Sequence, residues 1–294
     1  MNKKIGVIGI PGKWSSEMLA DSVDLKTGFR LLISMDEVIV NLEDGKVWFK
    51  DFDLSTLDAI LVKKLSNNYE PEMINHLETL RFLEAQGVAI YSKPCKIAGL
   101  LNRFTCTITL QLGNIPIPPT VVTESVTEAL YTLEKFRTAV FKPLFTSKAR
   151  GMRVIEDSES SLDEIRDFKE SGNRIMYIQK FCSLPGKDLG MVFLGGKYLA
   201  TYARVCQNDS WNTTTLSGGK YERHEPDGNL IDLAYRAQSL FTLDYTCVDI
   251  AETPDGPIVF EVSAFGGFRG LQVAHDINAA GLLVDHVLQR LIEQ

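Results

Sequence analysis

The sequence predicts an α/β protein, α+β over its full length, whose first third is an open, mostly parallel sheet. Three observations lead there. Ile5-Gly-Val-Ile-Gly-Ile10 is a short continuous apolar run, the pattern of a strand buried on both faces. Between residues 57 and 91, an apolar run, a helically spaced Leu77, Leu80 and Leu83, and a second apolar run follow one another, as strand, helix and strand do in such sheets. Farther on, Gly195-Gly196 and Thr253-Pro-Asp-Gly256 each separate two strand-like runs, which is hairpin chemistry.

The elements follow in order. Leu57–Val62 reads as the second strand, Asn75–Glu84 as a helix, and Val88–Tyr91, after Gly87, as the next strand. Gly9 and Gly12 do not complete a GxGxxG turn, so a dinucleotide fingerprint is missing. A boundary is expected near Ser92-Lys-Pro94. Ile97–Leu112 reads as one helix ended by Gly113-Asn114, and Ile115-Pro-Ile-Pro-Pro119 as an extended segment, because proline disfavours helix at the residue before it. Thr138–Phe145 reads as a strand, Lys148–Arg153 as a basic loop, Ser160–Glu170 as a helix stopped at Gly172, and Ile175–Phe181 as a strand. Ile231–Phe241 reads as a helix, and Leu282–Ile292 closes the chain with Leu283, Val287, Leu288 and Leu291 on one stripe. The expected division is residues 1–94, 95–174 and 175–294.

Composition narrows the function. A chain of 294 residues with 45% apolar residues can bury two or three packed units without a disulfide. The net charge of −7 and the lack of a long basic run argue against a nucleic-acid partner. Five cysteines, odd in number and without a CxxC pair, point to free thiols in a reducing compartment, hence a cytoplasmic protein. The apolar run at Ile5–Ile10 is too short for a signal peptide or a membrane span.

Two carboxylates stand out. Asp249 and Glu261 lie symmetrically about Asp255, so a hairpin in that register sets them face to face within apolar surroundings. Like charges there need a cation between them, or one must take a proton. Ser263 shares the face of Glu261, and an Asp, a Glu and a hydroxyl are hard oxygen donors suited to magnesium. A solvated charged hairpin without metal is the other reading.

The basic groups are also unusual. Lys142 sits inside the apolar strand Ala139-Val-Phe-Lys142-Pro, where a cation calls for an anionic partner. Ser147-Lys-Ala-Arg150-Gly-Met-Arg153 is either an exposed basic loop or one that folds over phosphates. Arg103 and Arg204 are single arginines that a surface role would equally explain. Gly266-Gly267-Phe-Arg-Gly270 permits close backbone approach to a ligand, or is a plain strand-to-helix turn. No Ser/His/Asp or Cys/His arrangement is present to suggest covalent catalysis by the protein.

In order, Val248-Asp-Ile250 and Val259-Phe-Glu-Val-Ser-Ala-Phe-Gly-Gly-Phe-Arg-Gly270 are similar to the VDI…EVNxxPGxxG ending of the ATP-grasp superfamily, specifically its RimK-type amino-acid ligases. The resemblance runs from about residue 90 to the end and implies an ATP-grasp fold preceded by a pre-ATP-grasp domain. It implies metal ligation by Asp249 and Glu261, with Ser263 in place of the family's Asn. It implies phosphate contacts for Lys142, with Arg103 where the family has a Lys. Tyr177-Ile-Gln-Lys-Phe181 resembles the hinge that reads adenine, through Gln179, Lys180 and Phe181. Asp188 would line the ribose or phosphate side, Arg204 the substrate side, and the Arg150 loop would close over the site. Asn212-Thr-Thr-Thr-Leu-Ser-Gly-Gly219 departs from the family's RSNxxRGG, which points to a different acceptor.

The resemblance thus implies ATP with magnesium, or manganese in its place, and small-molecule carboxylate and amine substrates such as glutamate. It also implies a dimer or tetramer. The chemistry expected is a carboxylate–amine ligation through an acyl phosphate. A nucleotide-binding sensor without turnover and a small-molecule kinase on the same fold stay open at this point; a dehydrogenase does not suit the missing fingerprint.

Overall fold

The computed structural model describes residues 3–147, 149–206 and 219–293. The N-terminal unit runs β1 (Ile5–Ile8), α1 (Trp14–Thr27), β2 (Leu32–Ile33), β3 (Val38–Asn41), β4 (Lys46–Phe49), β5 (Phe52–Asp53), β6 (Ala59–Val62), α2 (Met73–Ala85) and β7 (Ala89–Tyr91). Strands in the order β2-β1-β6-β7 make a parallel sheet, and β3-β4-β5 form a small antiparallel sheet beside it. Helix α1 escapes a periodicity reading because its buried face carries Ser16, Ser22 and Thr27. Those hydroxyls are satisfied locally: Ile10 N donates to Ser16 Oγ at 3.0 Å, and Thr27 Oγ1 donates to Val23 O at 2.8 Å.

The segment expected as a single helix is two, α3 (Pro94–Ala98) and α4 (Arg103–Leu112). Asn102 caps the second by accepting from Thr105 N at 2.9 Å, so the chain restarts a helix where a continuous one was expected. Then come β8 (Thr120–Thr123), α5 (Val126–Phe136), β9 (Thr138–Lys142), β10 (Arg153–Glu156), α6 (Ser161–Glu170) and β11 (Met176–Lys180). These strands form one sheet in the order β10-β9-β11-β8. The boundary expected after residue 174 falls inside this sheet, because β11 pairs with both β8 and β9.

The last part holds β12 (Lys187–Leu194), β13 (Lys197–Val205), β14 (Lys220–His224), α7 (Gly228–Ser239), β15 (Tyr245–Thr253), β16 (Gly256–Ser263), α8 (Arg269–His275) and α9 (Ala279–Glu293). Its sheet runs β14-β13-β12-β15-β16, antiparallel throughout. Gly195 and Gly196, both at positive φ (56° and 76°), make the tight turn between β12 and β13.

The cores explain where a cleft can lie. Ala129, Leu133, Phe141, Ile165, Phe168, Met176 and Ile178 belong to a core of the central unit alone. The N- and C-terminal units instead share theirs: Leu19 and Val23 of α1 cluster with Leu283, Val284 and Val287 of α9. The larger core runs from Ile8 through α2 and α4 to Val248, Ile250, Val259 and Val262. The central sheet is thus an independently packed body set against the five-stranded sheet. Among the described residues no helix is long and apolar enough to cross a membrane.

Candidate active site

One face of the five-stranded sheet gathers the candidate residues by strand register. Asp188 on β12 stands opposite Arg204 on β13, Gly190 opposite both Tyr202 and Asp249, and Tyr221 on β14 opposite Arg204. Asp249 pairs with Glu261 across β15 and β16. That register depends on a bulge. The turn closes between Thr253 and Gly256, and Ile250 faces Val259, so a regular ladder would set Asp249 against Phe260. Phe260 is instead extruded, and the next pair is Asp249 with Glu261. Val259 and Val262 stay buried in the core, while Phe260 and Glu261 are accessible from the other side.

Arg204 meets two of these carboxylates. Its Nε donates to Asp188 Oδ1 at 3.0 Å, its Nη2 pairs with Asp188 Oδ2, and Nη2 lies 3.1 Å from Asp249 Oδ2. The three side chains are largely withdrawn from solvent, with 19%, 8% and 16% of Arg204, Asp188 and Asp249 exposed. Burial pushes the Asp249 carboxyl up, the Arg204 cation opposes this, and the Glu261 carboxylate adds to it. Asp188 and Arg204, read from the sequence as separate lining residues, therefore form one buried ion-pair network with Asp249. Ser263 Oγ accepts from Phe265 N at 3.3 Å and so shapes its own loop.

The central sheet supplies the other wall. Lys142 ends β9, donates to Gln179 Oε1, and holds its ammonium 5.4 Å from the ring of Phe260. Burial drives its pKa down to about 7, with the Arg103 cation adding to the fall and Glu261 opposing it. Gln179 is buried and oriented by its own amide, which donates to Thr120 Oγ1 at 3.1 Å and Tyr177 OH at 3.2 Å. The amides of Lys180 and Phe181 donate to Pro119 O and Thr138 O, so neither is a free donor for a purine edge.

Arg103 braces the segment that follows Lys142. Its Nε donates to Pro143 O at 2.7 Å and its Nη2 to Thr146 Oγ1 at 3.0 Å, while the guanidinium lies 6.0 Å from the Tyr177 ring. Arg150 is exposed and donates to Ser147 O and Oγ, each at 3.3 Å. Burial pushes the Tyr69 hydroxyl up, the Glu261 carboxylate adds to this and the Arg150 cation opposes it. Lys148 and residues 212–218 of the substrate-side segment lie outside the described residues.

Sequence reasoning missed Phe260, Tyr69 and Tyr202. Phe260 was detectable only through the bulge, and Tyr69 only through the approach of the N-terminal unit. Tyr202 is packed between Gly190 and Gly270, where added β-carbons would strike its ring. Gly270, the last glycine of the motif, thus has a packing reason.

The set fits magnesium. Two carboxylates on one face are hard donors, and among the described residues no three His, Cys, Asp or Glu side chains could complete a site alone. An ion there would take its remaining ligands from nucleotide phosphates and water, as magnesium usually does.

The sequence profile of the RimK-like ATP-grasp domain matches residues 101–287. The chain belongs to that family. This RimK-like ATP-grasp protein is 27% identical over 292 residues to the tetrahydromethanopterin:alpha-L-glutamate ligase of Methanococcus maripaludis, covering 97% of the chain and 98% of the relative. It is 25% identical to the glutamate–LysW ligase ArgX of Sulfurisphaera tokodaii, over 84% of the chain and 91% of the relative. The ATP-grasp ligase PsnB, solved with a phosphomimetic variant of its minimal precursor, Mg and ADP, superposes with a TM-score of 0.76 at 16% identity over 99% of both chains. The expected fold is therefore the observed one, and the chain is an ATP-grasp ligase that forms carbon–nitrogen bonds.

Proposed function

We propose that the cleft between the central sheet and the five-stranded sheet binds ATP with magnesium and joins a substrate carboxylate to the amine of an amino acid, glutamate first among them. The observation that carries this reading is the approach of Lys142 to Phe260, 5.4 Å from ammonium to ring centre. It brings a strand-end cation of one body to the residue beside Glu261 on the other. A polyphosphate between them meets a cation on one wall and two carboxylates on the other.

Asp249 and Glu261 would hold the magnesium, which when bound neutralises phosphate charge. Lys142 binds and orients the phosphates, Gln179 orients Lys142, and Arg103 fixes the chain beyond it. Arg204 is placed to offset charge on the substrate side, and the Arg150 loop to close over the nucleotide and keep water from an acyl phosphate. The acyl phosphate forms when a carboxylate oxygen attacks the γ-phosphorus and ADP leaves. The amine then attacks the carbonyl, releasing phosphate and giving an amide. Glutamate is favoured by both relatives' names, and a pterin-like cofactor or a peptide carboxylate is the matching acceptor class. Assembly as a dimer or tetramer, location in the cytoplasm, and manganese as an alternative ion belong to the same proposal.

The test combines protein, ATP and magnesium with each amino acid and a panel of carboxylate cofactors and peptides, following ADP and product mass. ADP release that needs both a carboxylate and glutamate supports the reading. Tight ATP binding without turnover replaces it with a sensor, and a stable phosphorylated product replaces it with a kinase.

A further inference from the structure

Lys63 follows β6 in the N-terminal unit, is only 5% exposed, and makes no ion pair among the described residues. Its backbone N–H donates to Ile8 O at 2.9 Å, which places it where the β1 and β6 carboxyl ends meet. The sheet order β2-β1-β6-β7 changes direction there, and open α/β sheets form their ligand crevice at such a point.

Its side chain leaves that crevice and crosses to the C-terminal unit. The ammonium donates to Gly266 O at 2.5 Å, approaches Phe265 O at 3.4 Å, and lies 4.2 Å from the Phe268 ring centre. Residues 264–268 are the loop that follows Glu261 and Ser263 and enters α8. A lysine buried without a carboxylate is costly, and burial lowers its pKa to about 7. Packing alone would be served as well by methionine.

We propose that Lys63 is a positioning residue: it fixes the 264–268 loop against the N-terminal crevice and so sets the pocket for the substrate that accepts from the nucleotide site. This deepens the ligase reading and rests on it for the word substrate; the loop-holding part does not.

Lys63→Met and Lys63→Gln are compared with wild type in three measurements. Calorimetric binding of ATP with magnesium and the thermal midpoint are expected to stay within about twofold and a few degrees, because the side chain touches neither nucleotide wall. The KM for L-glutamate or for the carboxylate substrate is expected to rise about tenfold or more in Lys63→Met, with Lys63→Gln between it and wild type because its amide still donates to Gly266 O. Amide hydrogen exchange across 264–272 is expected to speed up in Lys63→Met. Unchanged exchange there overturns the proposal. So does a uniform loss of stability, ATP binding and turnover, which would make Lys63 a strut. If Lys63→Met does not fold, Lys63→Gln is read by the same criteria. A wild-type protein without acceptor-dependent turnover refutes the ligase reading alone, and the exchange measurement still decides the role of Lys63.

Discussion

Arg204 holds Asp249 with Nη2 3.1 Å from Oδ2 while the same guanidinium engages both oxygens of Asp188. The cation that Asp249 needs in its apolar setting is thus supplied by a side chain. Removing it leaves two largely buried carboxylates uncompensated. Arg204→Leu is expected to cost about 3–5 kcal/mol of unfolding free energy, the range for breaking a buried pair from one side. The double variant Asp188→Asn/Arg204→Leu should recover part of that loss. Urea unfolding of the four members of this cycle checks it; an Arg204→Leu protein as stable as wild type would show that the network carries no such charge balance.

Among the described residues Glu261 makes no comparable ion pair. It is exposed, opposite Asp249, and next to the residue that Lys142 covers. Glu261→Gln is expected to leave the thermal midpoint nearly unchanged and to reduce ATP turnover by at least about 100-fold, the scale of losing one electrostatic stabiliser of the reacting phosphates. ADP release under saturating magnesium measures this. Wild-type release from the variant would remove Glu261 from the metal site.

Much of this site was legible in the sequence, for identifiable reasons. Asp249 and Glu261 were placed opposite each other by counting from Asp255, and they do face each other. The counting succeeded because two departures cancel: the turn centres between Pro254 and Asp255, and the bulge at Phe260 shifts the ladder by one. Lys142 was conspicuous because a lysine inside a strand interrupts an apolar run, although the strand stops at Lys142 and does not continue to Phe145. The Asp188–Arg204 pair was not legible: counting from the Gly195-Gly196 turn sets Asp188 against Ala203, and the irregularity between Val192 and Phe193 shifts the ladder by one, to Arg204. Helix α1 was hidden by buried hydroxyls, and the break at Asn102 by the apolar residues on both sides of it. Nothing in the sequence marks Lys63; only the docking of the N-terminal sheet on the 264–268 loop brings its ammonium to Gly266 O.

The bulge carries its own prediction. Phe260 lies under the Lys142 ammonium and is brought there by extrusion from the ladder. A desolvated cation–π contact contributes on the order of 0.5–2 kcal/mol. Phe260→Ala is therefore expected to weaken ATP binding by about 2- to 30-fold, while Phe260→Tyr, which keeps the ring face, stays close to wild type. Calorimetric titration with ATP and magnesium distinguishes the two; equal affinities for all three proteins would mean the ring does not steady Lys142.

Gly270 tests the packing beneath the site. A β-carbon there would lie 2.5 Å from the Tyr202 ring, and Tyr202 is held from the other side by Gly190 and near the Cys247 thiol at 3.5 Å. The ring has nowhere to move. Gly270→Ala is expected to destabilise by about 1–3 kcal/mol, the usual cost of overpacking. Gly270→Ala/Tyr202→Phe should relieve little, because the ring edge makes the clash, whereas Gly270→Ala/Tyr202→Leu should relieve more. Thermal and urea midpoints of these variants give the comparison.

Lys142 also sets a pH dependence. Burial lowers its pKa from 10.5 to about 7 in the folded protein. With phosphates against Lys142, as proposed, the anions would favour the charged form, so nucleotide binding would raise that pKa and take up a proton. Well below pH 7 the lysine is already charged and binding draws no proton to it. Above pH 7 a proton must be acquired, and ATP affinity is expected to fall by up to about tenfold per pH unit until the nucleotide-bound pKa is reached. The sign is that of a cation needed for binding and lost as pH rises through its free value. Lys142→Met should bind ATP more weakly and flatten this slope between pH 7 and 9. Isothermal titrations in buffers of different ionisation enthalpy read the proton uptake directly: uptake near pH 8 in wild type and none in Lys142→Met is the expected pair of results, and equal uptake in both proteins would assign the titration to another group.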